Sequence, residues 1–450
     1  MSKKSPKASE QSTSAASETT PLVAKSGDGG NGGDGSSDPT TGGLSTTQTT
    51  MLLAGEMAGS GVLALPRALV RTGWFGVPLI ILMAGLAAFS GQRLGDCWSI
   101  LEDRDPHMRS RKRNPYAIIT EQALGKAWSV VVSMAIIVTL FGTSVVFLLM
   151  AAQIVQQLLL ALVPDVTYCA WYLIVTGAMA PLMLLKSPKD FSLLGLIAFS
   201  STVIACILYF IEMMNEIRPF VFRLGAHGFQ EFFLAFGTIM FAFGGASTFP
   251  TIQNDMNDRS KFSKSVQYSF LGVLILYLVI AITGYAVYGE AVGTNFVTSL
   301  KPTPLTLVAN VLMAVHLTSA FIIVVNPVCQ EMEELYAVPR DSAGGRALVR
   351  ISIMLAIMFL GESIPRFQTI LAFVGGTSIA LLTFVLPPLC YLRLCRQPDG
   401  EARSTVERPK WMEIVSWHVI AVGVVGGVLA AISSIGAIFG TSFATPCYLR

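Results

Sequence analysis

The stretch Gly55-Glu56-Met57-Ala58-Gly59-Ser60-Gly61-Val62-Leu63-Ala64-Leu65-Pro66 puts three glycines, a carboxylate and a proline inside an apolar run that predicts a helix over 47–71. A glycine inside a helix costs about 1 kcal/mol relative to alanine, and proline lacks the backbone donor. The helix is expected to unwind at Gly59-Ser60-Gly61. The same device recurs downstream. Gly61 stands five residues before Pro66, Gly245 stands five before Pro250, and each member of the second pair lies 184 residues after its counterpart.

Around these two points the chain is unusually apolar. Hydrophobic residues make up 52% of its 450 positions and charged ones 13%, against about 25% charged in a soluble globular protein. Eleven apolar segments approach or exceed the roughly 20 residues that span a hydrocarbon core as a helix. They are expected over 47–71, 75–101, 127–162, 170–185, 191–213, 232–257, 265–288, 305–334, 348–364, 367–394 and 412–439. The alternating ten-residue pattern of a membrane β-barrel is absent from the sequence. The expected fold is therefore an all-α polytopic membrane protein, with the lipid bilayer as its first partner.

Residues 1–45, rich in Ser, Thr and Gly, hold too little apolar surface to fold and are expected to be a disordered cytoplasmic tail. They contain no hydrophobic signal-peptide core. With the N-terminus inside, 23 of the 31 Lys and Arg fall on the cytoplasmic side and seven on the other, which satisfies the positive-inside rule. The six around the loop containing Arg109-Ser110-Arg111-Lys112-Arg113 weigh most. Residues 441–450 then form a short non-cytoplasmic tail. The net charge of +3 carries no basic stripe, so no nucleic acid is expected as a partner. Seven cysteines lack CxxC or Cys/His zinc spacing, so no metal or cofactor is expected. Cys169 and Cys447 fall nearest the outer face, where a disulfide between them is feasible.

Five helices separate the two glycine breaks, so the second copy enters the membrane from the opposite side. That is the pattern of an inverted-topology repeat, with copies over 46–213 and 231–395 followed by an eleventh helix. Backbone freed at mid-membrane must line a cavity or pack in protein. Half-helices starting near Val62 and Ala246 would aim N–H groups at an anion, and those ending near Ala58 and Phe243 would offer carbonyls to a cation. A zwitterion such as an α-amino acid answers both. The candidate substrate contacts are Gly59, Ser60, Gly61, Val62, Gly244, Gly245 and Ala246, with Phe141, Phe241 and Phe243 as pocket walls or gates. Against this stands plain close packing of helices at small residues and of aromatics with one another.

Glu56, an acid one turn from a break, is a functional candidate by its cost in the membrane and would carry a coupling proton, unless it is a structural acid paired with a neighbouring helix. His316 is a second proton candidate or a hydrogen-bonded core residue. Thr318 and Ser319 beside it are candidate sodium ligands or interhelical hydrogen-bonders. Gln253-Asn254-Asp255 is a candidate cytoplasmic gate, and Gly375-Gly376 a candidate hinge.

The opening stretch resembles the first-helix motif of the amino acid/auxin permease family. Further similarity runs through Phe243-Gly244-Gly245, Phe249-Pro250-Thr251-Ile252-Gln253-Asn254-Asp255-Met256, His316 to Asn326-Pro327, and Leu371-Ala372-Phe373-Val374-Gly375-Gly376. The resemblance implies the leucine-transporter fold and movement of amino acids by alternating access, driven by protons or sodium. Sodium-coupled animal members carry Asn before the Gly-Ser-Gly, where this chain has Gly55 and Glu56, which favours protons. The expected activity is proton-coupled transport of small or neutral amino acids. The alternatives are sodium symport and a non-transporting amino-acid sensor. No HExxH, Ser/His pairing or facing membrane aspartates support an enzyme. Residues 18–23 faintly resemble an acidic dileucine sorting signal, leaving the plasma membrane and a lysosomal or endosomal membrane both open.

Overall fold

The computed structural model describes residues 43–109, 114–184, 191–216, 227–339, 342–364, 366–397, 409–440 and Cys447. The N-terminal tail, the sorting-like signal, most of the basic loop and most of the C-terminal tail lie outside the described residues. The regular secondary structure among the described residues is all helical, apart from one isolated bridge between Leu44 and Met256.

The first predicted helix is two, α1 (Thr46–Met57) and α2 (Ser60–Thr72), joined through Ala58 and Gly59. A capping box starts α1: Ser45 Oγ accepts from the Gln48 amide, and Gln48 Oε1 accepts from the Ser45 amide. After a 3₁₀ turn at Gly73–Phe75 come α3 (Gly76–Arg104), a short α4 (Pro115–Leu124), α5 (Lys126–Leu159), α6 (Tyr168–Leu184) and α7 (Phe191–Asn215). The sixth predicted helix is again two, α8 (Phe229–Ala242) and α9 (Phe249–Asn254). There follow α10 (Phe262–Tyr288), α11 (Pro304–Leu335), α12 (Ala343–Ser363), α13 (Phe367–Val374), a π-helical segment Gly375–Val385, α14 (Leu386–Leu394) and α15 (Lys410–Phe439).

Eight helical stretches among the described residues are long and apolar enough to cross a membrane, and α6 and α8 are shorter apolar helices. The chain is a multi-pass integral membrane protein. One stretch, Ser60–Arg104, holds α2 and α3 on either side of the turn at Gly73.

Small residues set the packing, as expected where lipid gives helices no hydrophobic reason to associate. Gly61 meets the backbone of Ala242, Gly375 meets the carbonyl of Gly237, and Gly376 and Gly427 face each other between the π-helical segment and α15. Between the π-helical segment and α8 there is no room for a side chain at Gly375, since a Cβ there would stand 2.0 Å from Gly237 O. The Gly375-Gly376 pair thus opens a π-helix, an irregularity frequent at functional sites, and also serves as a close helix contact.

Cys169 and Cys447 form a disulfide with Cα atoms 5.5 Å apart, as the sequence allowed. The other five cysteines are buried and free.

Candidate functional site

The two interruptions meet. At the first, the Ala58 amide still donates to Ala54 O (2.7 Å), while the Gly59 amide turns back to Met57 O (2.7 Å) and the helix restarts at Ser60. At the second, Phe243 ends α8, the Gly244 amide donates to Phe241 O (2.9 Å), and a turn closes when the Thr248 amide and hydroxyl donate to Gly245 O (3.1 and 2.9 Å). The half-helix expected from Ala246 begins only at Phe249. Pro250 explains the shift: in the first turn its missing N–H is no loss and its fixed φ suits helix entry. Ala246 is buried within the turn.

One side chain from a third helix joins the two ends. The hydroxyl of Tyr277 on α10, fully buried, contacts the carbonyl oxygens of both Met57 and Ala242, the latter at 2.9 Å. These are the last helical residues of α1 and α8, so one phenol satisfies carbonyls that a broken helix leaves exposed. A hydroxyl has one proton, so the two acceptors share it. Sequence reasoning missed Tyr277. It is one of several tyrosines along α10, and only a polar tip in an apolar helix marked it.

Glu56 is on the last turn of α1, beside the second break. A Cβ at Gly245 would stand 3.8 Å from Glu56 Cβ. Its side chain is exposed although Met57 through Ser60 are buried. Gly244, Gly245, Ser247 and Thr248 are half-buried at the same place. Among the described residues no hydrogen bond or ion pair reaches the Glu56 carboxylate.

His316 on α11 lies against the first break. Its Nδ1 lies 2.9 Å from the carbonyl of Ala198 on α7. A carbonyl only accepts, so Nδ1 carries the proton and a neutral ring leaves Nε2 as a bare acceptor. Nε2 is buried without a hydrogen-bond partner, and a Cβ at Gly59 would stand 3.3 Å from it. Phe147 on α5 packs edge-on to the imidazole, with ring centroids 6.3 Å apart, and lies 3.6 Å from the same Gly59 Cβ position. Ser60 Oγ is likewise buried without a partner.

The remaining candidates divide. Thr318 and Ser319 make no hydrogen bond among the described residues, unlike Thr139, Ser144 and Thr238, whose hydroxyls each donate to the carbonyl four residues back. Gly244 packs against Ile379 of the π-helical segment, and Phe241 lies against Gly375. Phe243 turns toward α10, stacking on Phe270 with centroids 6.3 Å apart and lying 5.3 Å from the Tyr277 ring. Val62 is fully buried, and Phe141 is a half-buried part of the α5 packing surface.

Each end of the bundle is fastened. Beyond α9, Gln253 Nε2 donates to Gly95 O of α3 (3.1 Å), and Arg259 pairs with Glu102, which also accepts from Trp98 Nε1 at 2.7 Å. Leu44 clasps the same corner, its amide donating to Asp255 O (2.7 Å) and its carbonyl accepting from Asn257 N (3.0 Å). At the far end of α2, Arg67 Nη1 donates to the carbonyls of Glu290 and Val292, and Arg71 pairs with Glu231 at 2.7 Å. His227 Nε2 lies 2.9 Å from Glu290 Oε1 in the same group.

Residues 42–438 match the family model described as Transmembrane amino acid transporter protein. Among curated relatives, the chain is 22% identical to Amino acid transporter AVT1D of Arabidopsis thaliana, over 78% of this chain and 64% of that protein. It is 24% identical to Amino acid transporter AVT1H of the same plant, over 85% and 87%. It is 25% identical to Vacuolar amino acid transporter 5 of Schizosaccharomyces pombe, over 75% and 82%. The chain spans somewhat under two thirds of the length of the first of these. The family and the named relatives are transporters, not enzymes.

Proposed function

From the premise that the chain belongs to the transmembrane amino acid transporter family, we propose that it moves small or neutral amino acids across a membrane by alternating access, coupled to protons through Glu56. In this reading eleven crossings carry two inverted repeats, over 46–213 and 231–395, and an eleventh helix, with the N-terminus cytoplasmic. The fission-yeast relative is named a vacuolar transporter, which supports placing the protein in an internal membrane of the vacuolar or lysosomal kind.

The observation that carries the proposal is the set of polar groups left without partners at the two breaks: Ser60 Oγ and His316 Nε2 at the first, and beside the second the Glu56 carboxylate, which makes no hydrogen bond or ion pair among the described residues. Free N–H groups at the start of α2 suit the substrate carboxylate. His316 Nε2 suits its ammonium group as an acceptor. Proton binding neutralises Glu56, which lowers the cost of moving it through a dry, closed intermediate. A bare carboxylate would hold the protein open to water until a proton arrives. Tyr277 already covers the Met57 and Ala242 carbonyls, which leaves less of the cation-binding backbone that sodium would need.

A second reading, sodium coupling, is favoured by the unspent hydroxyls of Thr318 and Ser319. Flux into proteoliposomes, with pH and sodium gradients imposed independently, separates the two. Amino-acid flux that follows the pH gradient without sodium supports the proton reading. Flux that requires sodium and ignores pH overturns it, and amino-acid binding with no flux assigns the chain as a sensor.

A further inference from the structure

Away from the breaks, three ligating side chains from distant parts of the sequence come together. Cys169 lies in the first turn of α6, Glu362 in the last turn of α12, and Cys447 belongs to the C-terminal tail; their Sγ and carboxylate oxygen atoms lie within 4.8 Å of one another. The two sulfurs are joined. Glu362 is 7% exposed, and its Oε1 is buried without a hydrogen-bond partner. A disulfide has no proton to donate, so the carboxylate gains nothing from its neighbour in this state. Burying such a group without a partner is costly. The position is nonetheless held firmly. Gly361, next to Glu362, packs directly on the Tyr172 ring of α6, with a Cβ there only 2.1 Å from the phenol oxygen, and the Tyr172 hydroxyl donates to Ile357 O at 3.1 Å.

Opening the disulfide changes the chemistry of this corner. Two thiolates and one carboxylate make a three-ligand set suited to Zn²⁺, which takes sulfur at about 2.3 Å and carboxylate oxygen at about 2.0–2.2 Å in tetrahedral geometry. We propose that Cys169, Glu362 and Cys447 form a redox-gated zinc site, closed as a disulfide and able to bind Zn²⁺ when reduced. A dithiol reductant supplies two electrons and two protons, the S–S bond breaks to give two thiols, and the reductant leaves as its own disulfide. Zinc binding then releases both thiol protons to solvent, and water takes the fourth position. The bound ion would replace the covalent link between α6 and the tail and would give the Glu362 carboxylate its missing partner.

The test uses the full chain in detergent or nanodiscs, oxidised or reduced, titrated with zinc alone against a chromophoric chelator. Reduced protein is expected to take up one equivalent of Zn²⁺ and melt at higher temperature with it, whereas oxidised protein takes up none. With cobalt, the reduced form should show thiolate-to-metal charge-transfer absorption. Glu362→Gln is expected to weaken zinc at least tenfold while the disulfide still forms. The C169A/C447A double variant should bind none, which excludes the five other cysteines. No uptake by reduced wild type, or equal uptake by the double variant, overturns the proposal without need of the Glu362 variant.

Discussion

The hydroxyl of Tyr277 lies 2.9 Å from the carbonyl oxygen of Ala242 while also contacting that of Met57, so one atom of α10 closes the carbonyl ends of both broken helices. Tyr277→Phe keeps the ring that packs against Phe243 and removes only this contact. The loss of a hydrogen bond that leaves buried acceptors unsatisfied costs about 1–3 kcal/mol. The expected outcome is a lower melting temperature in detergent, with secondary structure by circular dichroism unchanged.

Glu56→Gln keeps the shape of the side chain and removes its charge. Flux driven by a pH gradient is expected to fall about tenfold or more, a barrier change of at least ~1.4 kcal/mol. Exchange of labelled for unlabelled amino acid, which needs no net proton movement, is expected to persist. Proteoliposomes loaded with substrate measure both. A variant that retains full pH-driven flux removes Glu56 from the coupling step.

His316→Asn places an amide where Nδ1 stood, able to donate to Ala198 O, but leaves nothing at the position of Nε2. A hydrogen bond to a charged group contributes about 1.5–3 kcal/mol, so amino-acid affinity is expected to fall by roughly ten- to a hundredfold. Scintillation proximity binding reads this directly, and unchanged affinity would assign His316 to packing alone.

Gly61→Val brings side-chain atoms into the backbone of Ala242, since even a Cβ would stand 2.7 Å from its Cα. Overpacking of this kind costs about 1–3 kcal/mol or more, and it pushes the breaks apart. The expected result is a less stable protein with little flux; Gly85→Val, at a glycine with open space around it, serves as the control.

Outside the membrane-spanning segments, Asp258 accepts from the Ser260 amide (3.2 Å) and hydroxyl (2.5 Å) and pairs with Lys261, and these contacts hold its carboxyl below the usual range. A folded-state value below the unfolded one means stability that is present above the unfolded pKa and lost as pH falls through the folded one. Wild type is therefore expected to lose, on acidification, a small advantage that Asp258→Asn never has. Melting curves across the acidic range check it.

The breaks were legible because glycine and proline act locally, and their penalties need no tertiary context. Glu56 was legible for the same kind of reason, since a charge in an apolar run stands out alone. The positions of most helix ends followed from hydropathy. What the sequence could not show was which surfaces meet. Nothing local distinguishes Tyr277 from the other tyrosines of α10, or Ala198 from other alanines as the acceptor for His316, because both depend on residues 35 to 220 positions apart packing in one register. The late start of α9 was missed for a simpler reason. Proline disrupts a helix interior, whereas at the first turn it is an initiator. The short α4 has no signature in hydropathy because ten residues with little apolar length give no membrane signal.

The bond between Cys169 and Cys447 spans 278 positions and turns more than half of the polypeptide into a covalent ring. Everything from the start of α6 to the tail, including the second break and His316, lies inside that ring, while Glu56 and the first break lie on the free arm before it. A single protease cut anywhere in the ring leaves one molecule on a non-reducing gel and two on a reducing gel. A cut before it separates the pieces under either condition.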